Sequence, residues 1–178
     1  MSTIIEDLQW RYATKKFDPS KKISDDQLKT LLEAARLSPT SYGLQPFHIF
    51  VVEDADIREK LKPVSWNLSQ IVDASHIIVF AHQNEFDASL VDNYLTNVSE
   101  TRGVALEQLK GYGDFMKSKL LDLPEALKDS WTARQVYIAL GNVMTAAANL
   151  KIDTCPMEGF ERKAYEDSLL LSARLQNE

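Results

Sequence analysis

Cysteine is almost absent. Cys155 is the only one in 178 residues, which excludes an internal disulfide and points to a reducing compartment. The opening MSTIIEDLQW also lacks the basic and apolar regions of a secretory signal, so a cytoplasmic protein is expected. Long apolar runs are missing too. The least charged stretch, residues 136–150, contains Asn142 and Asn149 and falls short of the roughly 20 apolar residues that cross a bilayer. It reads as a core helix, and no membrane partner is expected. Positive charge is in deficit: the net charge is −6 and the pI near 5.1, which argues against nucleic acid, whose binding rests on many Lys and Arg contacts. Asn-Gly and Asp-Gly hairpin signals are absent, as is any repeat of 20 to 50 residues. None of G-x-S-x-G, H-E-x-x-H, a P-loop or G-x-G-x-x-G occurs. His48, His76 and His82 are scattered and read as structural, and Cys155 as a small buried hydrophobe.

What is present is a chain with 44% hydrophobic and 26% charged residues, enough for one globular domain over residues 1–178. Ser24 followed by Gln27 is a capping-box pattern, and Leu28, Leu31, Leu32 and Ala35 then share a helical face that ends near Arg36, before Ser38-Pro39. HIFVVE from His48 and Ser75–His82 read as strands, with a short helix capped by Asp54 between them. Residues 85–119 read as two helices with a mobile joint around Gly103, Gly111 and Gly113. Asp122 and Pro124 open a long helix over 125–150. KIDTCPMEGF supplies a third short strand, and residues 164–175 a last helix. Strands separated by helices suggest an α/β arrangement with crossover connections.

Locally the charge reverses. RYATKKFDPSKK holds Arg11, Lys15, Lys16, Lys21 and Lys22 against Asp18 alone, a patch suited to a small anion or simply a solvated face. Further polar segments lie at element ends: Pro39 to Gln45, Asn67 to Gln70, and Glu158-Gly159.

Taken in order, RYATKKFDPSKKIS, AARLSPTSYGLQPFHIFVVED, WNLSQIVDASHIIVFA, ARQVYIALGN and IDTCPMEGF resemble the FMN-dependent nitroreductase and flavin reductase family, over residues 4–160. The resemblance implies an α+β sandwich with a central, mostly antiparallel sheet flanked by helices, built as an intertwined homodimer with FMN at the interface. It implies that Arg11 holds the FMN phosphate beside the Tyr12 and Ala13 backbone. Lys15 would lie at the edge of the ring that gains negative charge on reduction, where an ammonium raises the potential. Pro39, Thr40, Ser41 and Gly43 would line the flavin from the partner chain. Asn67 and Gln70 would bond the pyrimidine edge and ribityl oxygens, and the Glu158-Gly159 pair would present a backbone N–H to N5. Lys15 and Glu158 are the catalytic candidates, and either Tyr112 or Phe115 would cover the ring.

The implied activity is ping-pong transfer of hydride from NAD(P)H to flat acceptors such as nitroaromatics, quinones or free flavin. The chain departs from the family at Ala13 (often serine), Gly43 (asparagine in several relatives) and Gln70 (lysine in some). After Phe160 the family's usual C-terminal strand and arm are not recognised. That last departure keeps a second reading open: a noncatalytic dimer of the same fold with weak or no flavin binding.

Overall fold

The computed structural model describes residues 3–83 and 85–175, with side chains through Leu169. In chain order the elements are α1 (Ile4–Trp10), α2 (Asp25–Arg36), a 3-10 turn (Ser41–Gly43), β1 (Phe47–Val52), α3 (Ala55–Leu61), α4 (Gln70–Asp73), β2 (Ile77–His82), α5 (Ala88–Arg102), α6 (Leu106–Leu120), α7 (Glu125–Asn149) and α8 (Arg162–Leu175). No described helix is long and apolar enough to cross a membrane.

Local chemistry sets the helix ends. Ser24 and Gln27 form the reciprocal capping box at α2, with Gln27 N–H donating to Ser24 Oγ at 3.3 Å and Ser24 N–H to Gln27 Oε1 at 2.9 Å. Asp54 accepts from Ile57 N–H at 2.9 Å and opens α3. The unexpected helix α1 carries its own box, Thr3 with Glu6. Between α5 and α6 the break is confined to the residues around Gly103, whose φ of 66° closes α5 in the left-handed region. Gly111 and Gly113, expected as part of a mobile joint, lie inside α6. A Cβ on Gly113 would stand 2.5 Å from Leu95 Cδ1, so this glycine lets α6 approach α5.

The class is α+β, and two sequence expectations need correction. Gln83 N–H donates to the Pro46 carbonyl at 2.9 Å, so the end of β2 meets the start of β1 and the pair is antiparallel. A helical connection permits either sense; only a parallel pair requires a crossover. The expected third strand is reduced to one parallel bridge, Ala13 with Thr154. Lys151 before it turns at φ 56°, and Pro156 after it has no N–H to extend a ladder.

The chain divides into two compact units, one comprising residues up to Ala34, Ile49–Val79 and those from Asn142 on, the other Ala35–His48 and Phe80–Gly141. The first has a core of Val52, Leu61, Ile71, Tyr165 and Leu169, and the second one of Leu44, Val91, Leu95, Met116, Leu120 and Trp131. Arg58, 5% exposed, serves the first. It donates to the carbonyls of Ile71 (2.8 Å), Val72 (3.1 Å), Ser75 (3.3 Å) and Ala74, fixing the turn from α4 into β2. His82 Nδ1 lies 3.0 Å from Thr132 Oγ1, and His76 Nδ1 2.8 Å from Ser75 Oγ, which gives both structural partners. Cys155 is half-buried, short of the buried position expected.

Candidate functional site

In the first unit, α1 ends by handing the chain to Arg11, whose N–H donates to the Asp7 carbonyl at 3.1 Å. Asp7 is 2% exposed. Its carboxylate accepts from Asn149 Nδ2 at 2.8 Å and Lys151 Nζ at 2.7 Å, so a buried anion tethers the start of this segment to the end of α7. Three residues on, Thr14 N–H donates to the Thr154 carbonyl at 3.1 Å, and its hydroxyl to Asp153 Oδ1 at 3.0 Å. Residues 11–15 are thereby laid along the run that leads to Glu158-Gly159. Arg11 is half-buried, and its Nε is buried with no hydrogen-bond partner. Tyr12 and Lys15 are exposed.

The far end of that run meets the turn after α3. Glu161 N–H donates to the Val64 carbonyl at 2.9 Å, and the Trp66 indole lies on Gly159, where an added Cβ would stand 2.8 Å from Cε3 and Cζ3. Ser65 Oγ donates to the Leu61 carbonyl at 2.7 Å and lies 2.7 Å from Tyr165 Oη. A hydroxyl has one proton to give, so the Tyr165 O–H is the donor in the second bond. Burial pushes the Tyr165 phenol above its ordinary value, with the Ser65 hydroxyl pulling the other way. Trp66 and Asn67 are both left-handed, at φ 54° and 55°. For asparagine this is common; for an aromatic residue it is strained. Trp66 is nonetheless 77% exposed. Gln70, first in α4, is 7% exposed, and its amide makes no hydrogen bond among the described residues.

The second unit carries the other predicted segment. Thr40 precedes the 3-10 turn and accepts from Gln45 N–H at 3.2 Å. Ser41 N–H donates to the buried Gln135 Oε1 at 2.8 Å, and Gln45 Nε2 to the Arg36 carbonyl at 2.6 Å. Pro39 and Gly43 are exposed. Gly43, at φ 76°, takes the conformation that glycine tolerates best. Tyr42 beside it is at φ 58°. Its ring meets Tyr112 and Phe115 edge-on, with centroids 6.5 and 6.4 Å apart. Both aromatics named as candidates thus lie against this loop, 44% and 48% exposed.

The profile of the Nitroreductase family matches residues 8–176. The chain belongs to this family. A Staphylococcus epidermidis protein named as an NAD(P)H nitroreductase is 43% identical over 164 residues, covering 89% of this chain and 74% of its own. A Staphylococcus aureus protein of the same name is 39% identical over 181 residues, covering 99% and 81%. Among solved structures, a Bacillus subtilis nitroreductase named YdfN aligns with a TM-score of 0.84 at 21% identity, over 93% of this chain and 79% of that one. A nitroreductase of Exiguobacterium sibiricum in complex with FMN aligns at 0.82 and 20%, over 95% and 80%. These likenesses establish the nitroreductase fold.

Against the family's cofactor, the first unit offers a buried guanidinium Nε without a partner and, on the largely buried Gln70, an amide that makes no hydrogen bond among the described residues. A donor such as Nε left unpaired in the interior costs about 1–3 kcal/mol, more when charged, and a phosphate would satisfy it. The residues present therefore fit an anionic, hydrogen-bonding cofactor. Sequence reasoning passed over Trp66, Tyr42, Asp7 and the Ser65–Tyr165 pair. Only Asp7 had a local signal, a carboxylate four residues before the basic segment.

Proposed function

We propose that the protein is an FMN-dependent NAD(P)H oxidoreductase that reduces nitroaromatics, quinones or flavins by ping-pong hydride transfer, working in the cytoplasm as an intertwined homodimer. It is an oxidoreductase of the nitroreductase family, and the family match spans both compact units, so residues 1–178 are read as one domain. The observation that carries the cofactor assignment is Arg11 Nε, buried and unpartnered in a segment bridged to the Glu158-Gly159 run.

FMN, when bound, supplies the hydride chemistry. The guanidinium of Arg11 would neutralise its phosphate, with the Tyr12 and Ala13 backbone alongside. Lys15 would hold positive charge where the reduced ring gains negative charge. Asn67 and Gln70 would donate to and accept from the pyrimidine edge and ribityl chain. Gly159 would offer its N–H to the reacting nitrogen, positioned by Glu158 before it and covered by Trp66. Pro39, Thr40, Ser41 and Gly43 would close the cofactor from the partner subunit. The dimer reading is supported by apolar side chains left in water: Ile4 and Ile5 are 60% and 59% exposed on α1, and Tyr137 and Ile138 are 52% and 40% exposed on α7.

The test is an FMN titration followed by flavin fluorescence and absorbance, then anaerobic addition of NADH or NADPH. One FMN per chain and bleaching by the nicotinamide are expected. Arg11→Ala should weaken binding about tenfold or more while the far-UV circular dichroism stays the same, since a charge-assisted hydrogen bond contributes about 1.5–3 kcal/mol. Unchanged affinity in that variant would remove the phosphate role.

A further inference from the structure

Arg11 is tied down on both sides, and the two ties differ in chemistry. On its N-terminal side it closes α1 in extended backbone, φ −72° and ψ 143°, with its N–H on the Asp7 carbonyl. The buried Asp7 carboxylate meets Lys151 Nζ at 2.7 Å and Asn149 Nδ2 at 2.8 Å. The same ammonium lies 5.1 Å from the centroid of the Trp10 ring, a cation–π contact with the residue directly before Arg11. Lys151 thus grips the last turn of α1 at two points. On the C-terminal side Thr14, 3% exposed, gives its hydroxyl to Asp153 Oδ1 and its N–H to the Thr154 carbonyl. Every one of these partners lies within residues 149–154, so the chain on either side of Arg11 is clamped to a single short stretch.

The clamp carries two costs. Lys151 takes φ 56°, a backbone that L side chains rarely adopt, and Arg11 keeps its Nε buried without a hydrogen-bond partner. An unclamped Arg11 would turn that donor to water. Strain and unmet hydrogen bonds of this kind persist where the surroundings over-determine them, as they do around groups preset for a ligand. Lys151 also sets a positive charge against Asp7, one helical turn before Arg11, which lessens the repulsion that the carboxylate exerts on an anion brought to Arg11.

Resting on the FMN reading above, we infer that Asp7 and Lys151 are positioning residues for the cofactor phosphate: their ion pair, with Trp10 against the same ammonium, presets Arg11 in the arrangement that meets it. They act through Arg11.

Lys151→Gly removes the ammonium and relaxes the backbone, since glycine is the residue that closes a helix in this conformation most easily. Asp7→Asn removes the other charge and keeps the shape. Each should raise the Kd for FMN about three- to tenfold, a fraction of what losing Arg11's own charge-assisted bond costs, whereas Lys151→Arg should keep it near the original value. In an Arg11→Ala background, Lys151→Gly and Asp7→Asn should leave the affinity where Arg11→Ala alone puts it. Riboflavin, which lacks the phosphate, should bind the original chain and these variants alike. Equal weakening in both backgrounds, or an equal loss for riboflavin, overturns the inference, because the ion pair would then serve the fold and not Arg11. Unchanged FMN affinity in both single variants overturns it too and leaves the FMN reading standing. The Arg11 Nε–H resonance of the 15N-labelled, FMN-free chain, assigned by its loss in Arg11→Ala, reads the positioning without flavin. Protection from solvent exchange that is lost in Lys151→Gly and Asp7→Asn supports the inference even if FMN fails to bind. Exchange as fast as that of a free guanidinium in the original chain, or protection that survives both changes, counts against it.

Discussion

Replacing Gly159 by alanine tests whether Trp66 and the Glu158-Gly159 pair behave as one packed unit. The new Cβ would stand 2.8 Å from two carbons of the indole and 2.9 Å from a third, and about 0.6 Å must be found before the contact becomes ordinary at 3.4 Å. Trp66 is 77% exposed, so its ring can tilt towards water. Its backbone cannot follow easily: Ser65 before it is tied to Leu61 and Tyr165, and Asn67 N–H after it donates to the Lys62 carbonyl at 3.1 Å. Overpacking costs typically 1–3 kcal/mol, and a ring free on one side places this case near 1 kcal/mol. For a chain of this size that lowers the melting temperature by about 2–4 °C. In a Trp66→Ala background the obstruction is gone, and Gly159→Ala should then cost almost nothing. The assay is thermal and urea unfolding of the four proteins in the cycle, with FMN affinity measured in parallel. Costs that add within about 0.5 kcal/mol, the scatter of independent sites, would refute the packing argument.

Arg58→Met fills similar volume but strands the carbonyls of Ile71, Val72, Ala74 and Ser75; urea unfolding should show a loss on the order of 3 kcal/mol, and a loss below about 1 kcal/mol would mean the carbonyls find other donors. Tyr165 titrates above its ordinary value in the folded chain, so the native state holds that proton more tightly than the unfolded chain does. Its contribution is present below about pH 10 and is lost as pH rises through the folded value; Tyr165→Phe should remove that alkaline loss, and an unchanged pH profile would exclude Tyr165 as its source. Lys15→Ala should lower the potential of bound flavin, and a potential that stays put would dismiss the electrostatic role given to Lys15.

Sequence alone made the helix starts legible because capping is local: Ser24 with Gln27, Asp54 before Ile57 and Pro124 before Glu125 carry their partners within a few residues. The same logic was available at α1, where Thr3 and Glu6 form a box, but seven residues give too little periodicity to draw attention. Pattern alone suggested crossovers because strand sense is decided by partners far apart in the chain, such as Gln83 and Pro46, whereas the antiparallel sheet implied by the resemblance is the one observed. The segments of the candidate site could be named from their order and spacing. Their shape could not: left-handed backbone is anticipated at Gly43 and Asn67, whereas nothing in a tryptophan or tyrosine announces φ near 55°. Ser65 and Tyr165 meet across 100 residues of chain without any local pattern.

The non-glycine residues with positive φ among those described are Tyr42, Gln45, Trp66, Asn67 and Lys151, and each adjoins a segment nominated for function. Lys151 stands where a helix usually closes on glycine: its N–H donates to Ala148 O at 3.1 Å, and Ile152 N–H to Ala147 O at 2.8 Å. A glycine there would relax the backbone but could not reach Asp7, whose carboxylate the Lys151 ammonium meets at 2.7 Å. That carboxylate belongs to the residue whose carbonyl accepts the Arg11 N–H. The strained lysine is therefore explained by what it holds, since removing it would leave a buried charge short of its counter-ion at the root of the phosphate candidate. Tyr42 and Trp66 differ in kind. Their side chains make no hydrogen bond among the described residues, and their strain serves to hold an aromatic surface against water.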